Sequence, residues 1–346
     1  MRPDSANRSF VAFMGLTLLL GAYVLCGAVG SVLVPLLVAR VSHGGLAGLL
    51  GDGASLLAML PFVVLVAVGL ALAGRSLVRQ VLASHRLARR VRGLARALPD
   101  QLTRAAMQTG LGGRVVFVDA PDSFSFVYGV LTPRVAVSRG LLEDVSGEEL
   151  RAVLEHERYH VCNLDPLKVV LVQTLSAALF FLPALDSLRV RYVAGRELAA
   201  DRRAVTVCGR SPLAGALLKV VRGPEWSELE VAAAIGGPEL LDVRVAQLET
   251  GRQPELATLS ITRATISLLG AALLVASFLA SVSSFGGPAA VRVATGTGVV
   301  TASLLGGFYC AAPFAGAGLL AYRLLARRAS RALPCPRPPM SKFDAG

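Results

Sequence analysis

Apolar positions along the chain fall into long charge-free runs at both ends and short periodic patches between them. From Phe10 to Val38 no charged residue interrupts 29 positions. At about 1.5 Å per residue, a helix of that length exceeds a hydrocarbon core of about 30 Å. Arg2 and Arg8 in front imitate the start of a signal peptide, but the run is far longer than such a peptide's apolar region and no small-residue cleavage pattern follows. The expectation is a retained spanning helix. A glycine-rich loop leads to a second charge-free run, Ala54 to Gly74, and two more follow near the C-terminus, Ala264 to Phe285 and Thr297 to Tyr322. Only the stretch from 75 to 260 is polar enough to fold in water.

Charge places these runs relative to a membrane. The chain carries 35 Lys and Arg against 23 Asp and Glu, a net +12. Arg75, Arg79, Arg86, Arg89, Arg90, Arg92, Arg96 and Arg104 crowd behind the second run, and Arg323, Arg327, Arg328, Arg331, Arg337 and Lys342 behind the last. Basic residues collect on the cytoplasmic side of membrane proteins. Four crossings with both termini inside and both tight loops outside satisfy that bias everywhere. No aromatic residues interleave the arginines, so the partner expected is the headgroup layer of the bilayer, with no direct nucleic-acid binding. With 54% hydrophobic and 17% charged residues, disorder is excluded, and five scattered cysteines exclude a disulfide-stapled fold.

The middle stretch holds the chemistry. RVVFVDA, SFSFVYGVL and RVAVS, within 114–138, read as strands, with Thr132 and Pro133 in a turn. Ser146 with Glu149 three residues on is a capping box that starts a helix, and on this helix lies HERYH, residues 156–160. His156 and His160 are four apart, so both imidazoles can reach one ion. Glu157 beside the first can face a water on that ion without ligating it. A third ligand is needed. Glu197 and Asp201, in RELAADRR, share a helical face; one carboxylate can bind the metal while the other accepts a ring N–H from a ligand histidine.

HERYH, DPLK at 165–168, the apolar stretch behind it and RELAADRR together resemble the gluzincin membrane metallopeptidases of the BlaR/MecR type, the antibiotic-sensing signal transducers. SFVYGVLTPRVAVSRGLL at 125–142 and RVAQL at 244–248 extend the likeness. The heat-shock and CAAX-prenyl membrane proteases are more distantly similar. The resemblance implies that His156, His160 and Glu197 ligate one zinc ion, that Glu157 is the general base, and that Asp201 supports a ligand from behind. It implies a zinc endopeptidase acting on protein or peptide substrates, a transcriptional repressor among them, in regulated proteolysis; membrane quality control and non-proteolytic signalling are the rival readings. In its RVAQL context Arg244 is a candidate donor to the oxyanion, with Tyr192 second. The penicillin-binding sensor of that family is not expected here: the residues three before Lys168, Lys219 and Lys342 are Asp165, Ala216 and Pro339, so there is no S-x-x-K.

The metal set constrains the topology. Leu167 to Leu182 is apolar, but a single crossing there would part Glu197 from the histidines. A helical hairpin over about 166–205, broken at Pro183, with Asp165 as cap and no net crossing, is therefore expected. The expected architecture is a mainly α, polytopic membrane protein with a zincin-like α+β metallopeptidase domain on the cytoplasmic side. Residues 1–74 form a first transmembrane hairpin (about 10–38 and 54–74), 75–260 the peptidase domain, 261–325 a second hairpin (about 264–285 and 297–322), and 326–346 a basic cytoplasmic tail.

Overall fold

The computed structural model describes residues 53–220, 238–252 and 260–272, with separate positions at 254 and between 10 and 21. The run at 297–322, the tail at 326–346 and most of 10–38 lie outside the described residues. At its described positions between 10 and 21 the chain is helical.

Helix α1 (Gly53–Leu94) is 42 residues long, about 63 Å at the usual rise. It carries the charge-free run straight into the arginine-rich segment, passing residue 74 without a break. Val64–Leu94 is long and apolar enough to cross a membrane by length and composition. Its arginines are exposed, whereas Leu87 and Val91 are buried. That narrow apolar stripe seats the last turns of α1 on a sheet.

The sheet has four strands in the order β1-β2-β4-β3. Strand β1 (Ala95–Arg96) follows α1 directly and pairs antiparallel with β2 (Val115–Val118). Strand β2 runs parallel to β4 (Arg134–Ser138), and β3 (Ser125–Tyr128) is the antiparallel edge strand beyond it. Helix α2 (Asp100–Gln108) connects β1 to β2. Alternate residues serve two cores. Val115, Val127, Val135 and Val137 pack with Leu102, Leu150 and Leu154 on one face, while Val118, Phe126, Tyr128 and Ala136 pack with Leu87 and Val91 of α1 on the other. A sheet covered on both faces reads as a nearly continuous apolar run, which is how these strands read in sequence. The two-residue β1 is too short to leave a pattern.

After the short α3 (Arg139–Asp144), helix α4 (Gly147–Asn163) starts where the capping box places it. Ser146 Oγ accepts from the Glu149 amide at 3.3 Å, and Glu149 Oε2 accepts from the Ser146 amide at 2.7 Å. The apolar stretch forms α5 (Asp165–Ala178), and α6 (Pro183–Cys208) returns along it with Pro183 in its first turn. The cap of α5 differs from expectation. Leu164 holds the N-cap position in the left-handed conformation, φ 54°, and Asp165 is the first helical residue. Helices α7 (Arg210–Val220) and α8 (Pro238–Thr250) close the domain through Leu213, Leu217 and Leu248 packed on Ala152 and Ala204. A last described helix, α9 (Ile261–Ala272), covers the start of the third charge-free run.

Candidate metal centre

Helix α4 carries HERYH in its last turns, where Leu150, Val153, Leu154 and Val161 fix one face against the sheet and the histidines emerge on the face toward α6. His156 and His160 are both buried. Their Nε2 atoms lie 3.2 Å apart and converge on Glu197: His156 Nε2 is 3.4 Å from Oε2, and His160 Nε2 is 3.6 Å from Oε1. One ligand atom from each of His156, His160 and Glu197 falls within 4.8 Å of the others.

The opposite ring nitrogens each face a separate carboxylate. His156 Nδ1 lies 2.8 Å from Asp201 Oδ1, and His160 Nδ1 lies 2.6 Å from Asp165 Oδ2. An imidazole that donates from Nδ1 presents its Nε2 lone pair to the cluster, the tautomer a metal ligand needs. Both carboxylates are themselves anchored. Arg244 donates to the two oxygens of Asp201 from Nε at 2.7 Å and Nη2 at 2.8 Å, and Lys168 Nζ is 3.8 Å from Asp165 Oδ1. Arg196 donates to Glu197 Oε1 from Nε at 3.1 Å and Nη2 at 2.7 Å.

Electrostatics follow from this packing. Burial alone would lower the pKa of His160, but the Glu197 carboxylate and then Asp165 outweigh it and push the ring up to about 9. Burial likewise opposes the charge on His156, and Asp201 and Glu197 raise it above its ordinary value. Burial would raise Glu197, yet His160 and Arg196 hold it well below the usual carboxylate range. Asp201, against the same opposition from burial, is pulled down to about 2 by Arg244 and His156. Glu197 and Asp201 are thus anionic, and His160 carries a proton that a cation would displace. Two imidazole nitrogens and a carboxylate, each oriented from behind, are the donor set of a catalytic zinc site with a position left for water. The residues fit that ion.

Residues 50–248 match the family model described as BlaR1 peptidase M56. The chain belongs to this peptidase family. Protease HtpX of Tolumonas auensis is 42% identical over 77 residues, covering 21% of this chain and 26% of that protein. Protease HtpX of Yersinia enterocolitica is 34% identical over 111 residues, covering 31% of this chain and 36% of that protein. The chain therefore spans 26% to 36% of the length of these relatives.

In this M56 chain the structure brings His156, His160, Glu197 and Asp201 together and buries Glu157 next to His156 on α4. It also gives the contacts of the two oxyanion candidates. Arg244 spends two donor nitrogens on Asp201 and so belongs to the support of His156. Tyr192 is buried with its ring 5.4 Å from that of Phe10. Arg158 pairs with Glu155 at 3.3 Å, away from the cluster. Sequence reasoning missed Asp165 and Arg196. The signal for Asp165 was arithmetic: two ligand histidines need two supporting acceptors, and only Asp201 had been assigned.

Proposed function

We propose that this chain is a zinc-dependent endopeptidase of the cell membrane, with its site at the cytoplasmic face, acting on protein substrates in regulated proteolysis. The observation that carries the reading is the convergence of His156 Nε2, His160 Nε2 and the Glu197 carboxylate within 4.8 Å, with Glu157 adjacent. His156, His160 and Glu197 would hold the ion, which when bound supplies Lewis acidity toward a water and a carbonyl oxygen. Everything else is done by the chain. Asp201 and Asp165 keep the two rings in the ligating tautomer, and Arg196 keeps Glu197 anionic and fixed. Glu157 takes a proton from the attacking water and returns it to the leaving amine nitrogen.

An extended substrate segment fits the edge strand β3, which packs on α4; pairing along its backbone would orient the scissile carbonyl. A protein substrate, a transcriptional repressor among the candidates, suits a site reached from the cytoplasm. The arginines of α1 support that side, since they stand exposed where the apolar run ends. The test is Glu157→Gln in the purified full-length protein. We expect one zinc per chain to remain bound and cleavage of a proteome-derived peptide library to fall by about 10²-fold or more, the scale of a lost general base. Unchanged cleavage would remove Glu157 from the reaction, and loss of zinc would make it a ligand.

A further inference from the structure

Behind each histidine of the cluster stand a carboxylate and then a cation. On one side the order is His156, Asp201, Arg244; on the other it is His160, Asp165, Lys168. The first series stays within α4, α6 and α8. The second continues outward, because Lys168 Nζ lies 5.4 Å from the ring centroid of Phe10, and that ring also packs on Tyr192 of α6. Phe10 is fully buried in a cluster with Leu179, Leu182 and Leu185, and it opens the first charge-free run.

Lys168 is itself 2% exposed and is the one basic residue of its helix. An ammonium removed from water is tolerable where an opposite charge and a ring face replace its hydration. Asp165 turns Oδ1 toward the Lys168 ammonium, an ion pair at 3.8 Å, and Oδ2 toward His160 at 2.6 Å, so the carboxylate lies between the two. We propose that Lys168 is a positioning residue for the metal centre, and that Phe10 seated on it couples the N-terminal apolar segment to the orientation of His160. This rests on the zinc reading above. Shifting Phe10 lets water reach Lys168, loosens Asp165 and frees the His160 ring to turn, so a displacement of the segment in the membrane is read as a change in metal affinity.

The sign of the effect separates positioning from charge. Removing a nearby cation would by Coulomb's law tighten zinc; loss of positioning weakens it. The experiment is chelator competition for zinc on the full-length protein in lipid nanodiscs, comparing wild type with Asp165→Asn, Lys168→Met, Lys168→Arg and Phe10→Leu. Mutating a partner behind a ligand weakens metal binding by about 10- to 100-fold, which is the expectation for Asp165→Asn. Lys168→Met should weaken it by roughly tenfold and Phe10→Leu by roughly threefold, with Lys168→Arg near wild type, and Lys168→Met should add little in the Asp165→Asn background because the two act in series. Equal or tighter binding by Lys168→Met overturns the proposal, as does an unchanged affinity in Phe10→Leu. If Lys168→Met fails to fold, Phe10→Leu and Lys168→Arg decide. A wild type that binds no zinc overturns the metal reading itself.

Discussion

At His160, burial and two carboxylates pull the ring in opposite directions. Without a metal its ring is pushed from 6.5 up to about 9 by Glu197 and Asp165 against the pull of burial. The pairing therefore stabilises the metal-free fold fully below pH 6.5, the unfolded value, and that contribution is lost as pH rises through about 9. A metal needs the same Nε2 lone pair, so binding near pH 7 must expel a proton. We expect titrations of zinc into the metal-free protein, in buffers of different ionisation enthalpy, to show at least one proton released per ion at pH 7. Affinity should rise with pH until about 9, and the melting-temperature gap between zinc-loaded and metal-free protein should widen over that range at fixed free zinc. A pH-independent affinity between 6 and 9 would mean that the site is not built around His160. His156, His160, Glu197 and Asp201 were legible in the sequence because each pair is four apart on one helix, and helical spacing alone puts such pairs on one face. For Asp165 only the count of acceptors was legible and not its position, because Leu164 turns the chain through the left-handed region and re-aims the next side chain. Arg244 was legible as important, but its bond to Asp201 was not, because that partner lies 43 residues away and no local pattern announces the pair.

Among the elements, α1 and α5 approach each other closely. A Cβ on Gly69 of α1 would stand 2.5 Å from the backbone oxygen of Ala178, whereas one on Gly74 would meet nothing within 4 Å. Gln80 on the same helix donates to Thr174 at 3.3 Å. The two glycines differ by five positions and make a controlled pair. Gly74→Ala should be neutral or mildly stabilising, since alanine is favoured over glycine by about 1 kcal/mol in a helix interior. Gly69→Ala should cost about 1–3 kcal/mol, the usual range for an overpacked contact, because backbone and not a flexible side chain must give way. Thermal or denaturant unfolding in detergent checks both, and equal effects would show that α5 does not lie against α1. The spacing of apolar residues announced both helices but could not announce this contact. Glycine in an apolar run is compatible with a lipid-facing position, a kink or a close crossing, and only the neighbour decides.

At the scale of the whole molecule, the cluster and the membrane must agree. The described entries into the charge-free runs all meet the α5–α6 hairpin: Phe10, Phe13 and Met14 belong to the cluster that runs from Tyr192 to Leu179 and Leu182, Gly69 faces Ala178, and Ser267 of α9 accepts from the Ala184 amide at 2.9 Å. Helix α5 has 14 residues, about 21 Å, which is short of a hydrocarbon core of about 30 Å. The return along α6 from Pro183 to Glu197 is 15 residues, about 22 Å, and is also too short. A complete crossing in each direction therefore does not fit between His160 and Glu197, and a single crossing is incompatible with the 3.4 Å between His156 and Glu197. The hairpin must enter and leave from one side, its turn level with the end of the apolar part of α1. Arg263 carries this arrangement to α9 by an ion pair with Asp186 at 3.6 Å, just past the turn. The consequence is that Glu143 and Arg210, both exposed and flanking the whole HERYH-to-RELAADRR segment, must share a side. Single cysteines at these positions, probed with a membrane-impermeant maleimide in intact and in opened cells, should both stay unlabelled until the cytoplasm is exposed. Labelling of one from outside and the other from inside would separate Glu197 from the histidines, and the metal centre could not exist in the membrane-inserted protein.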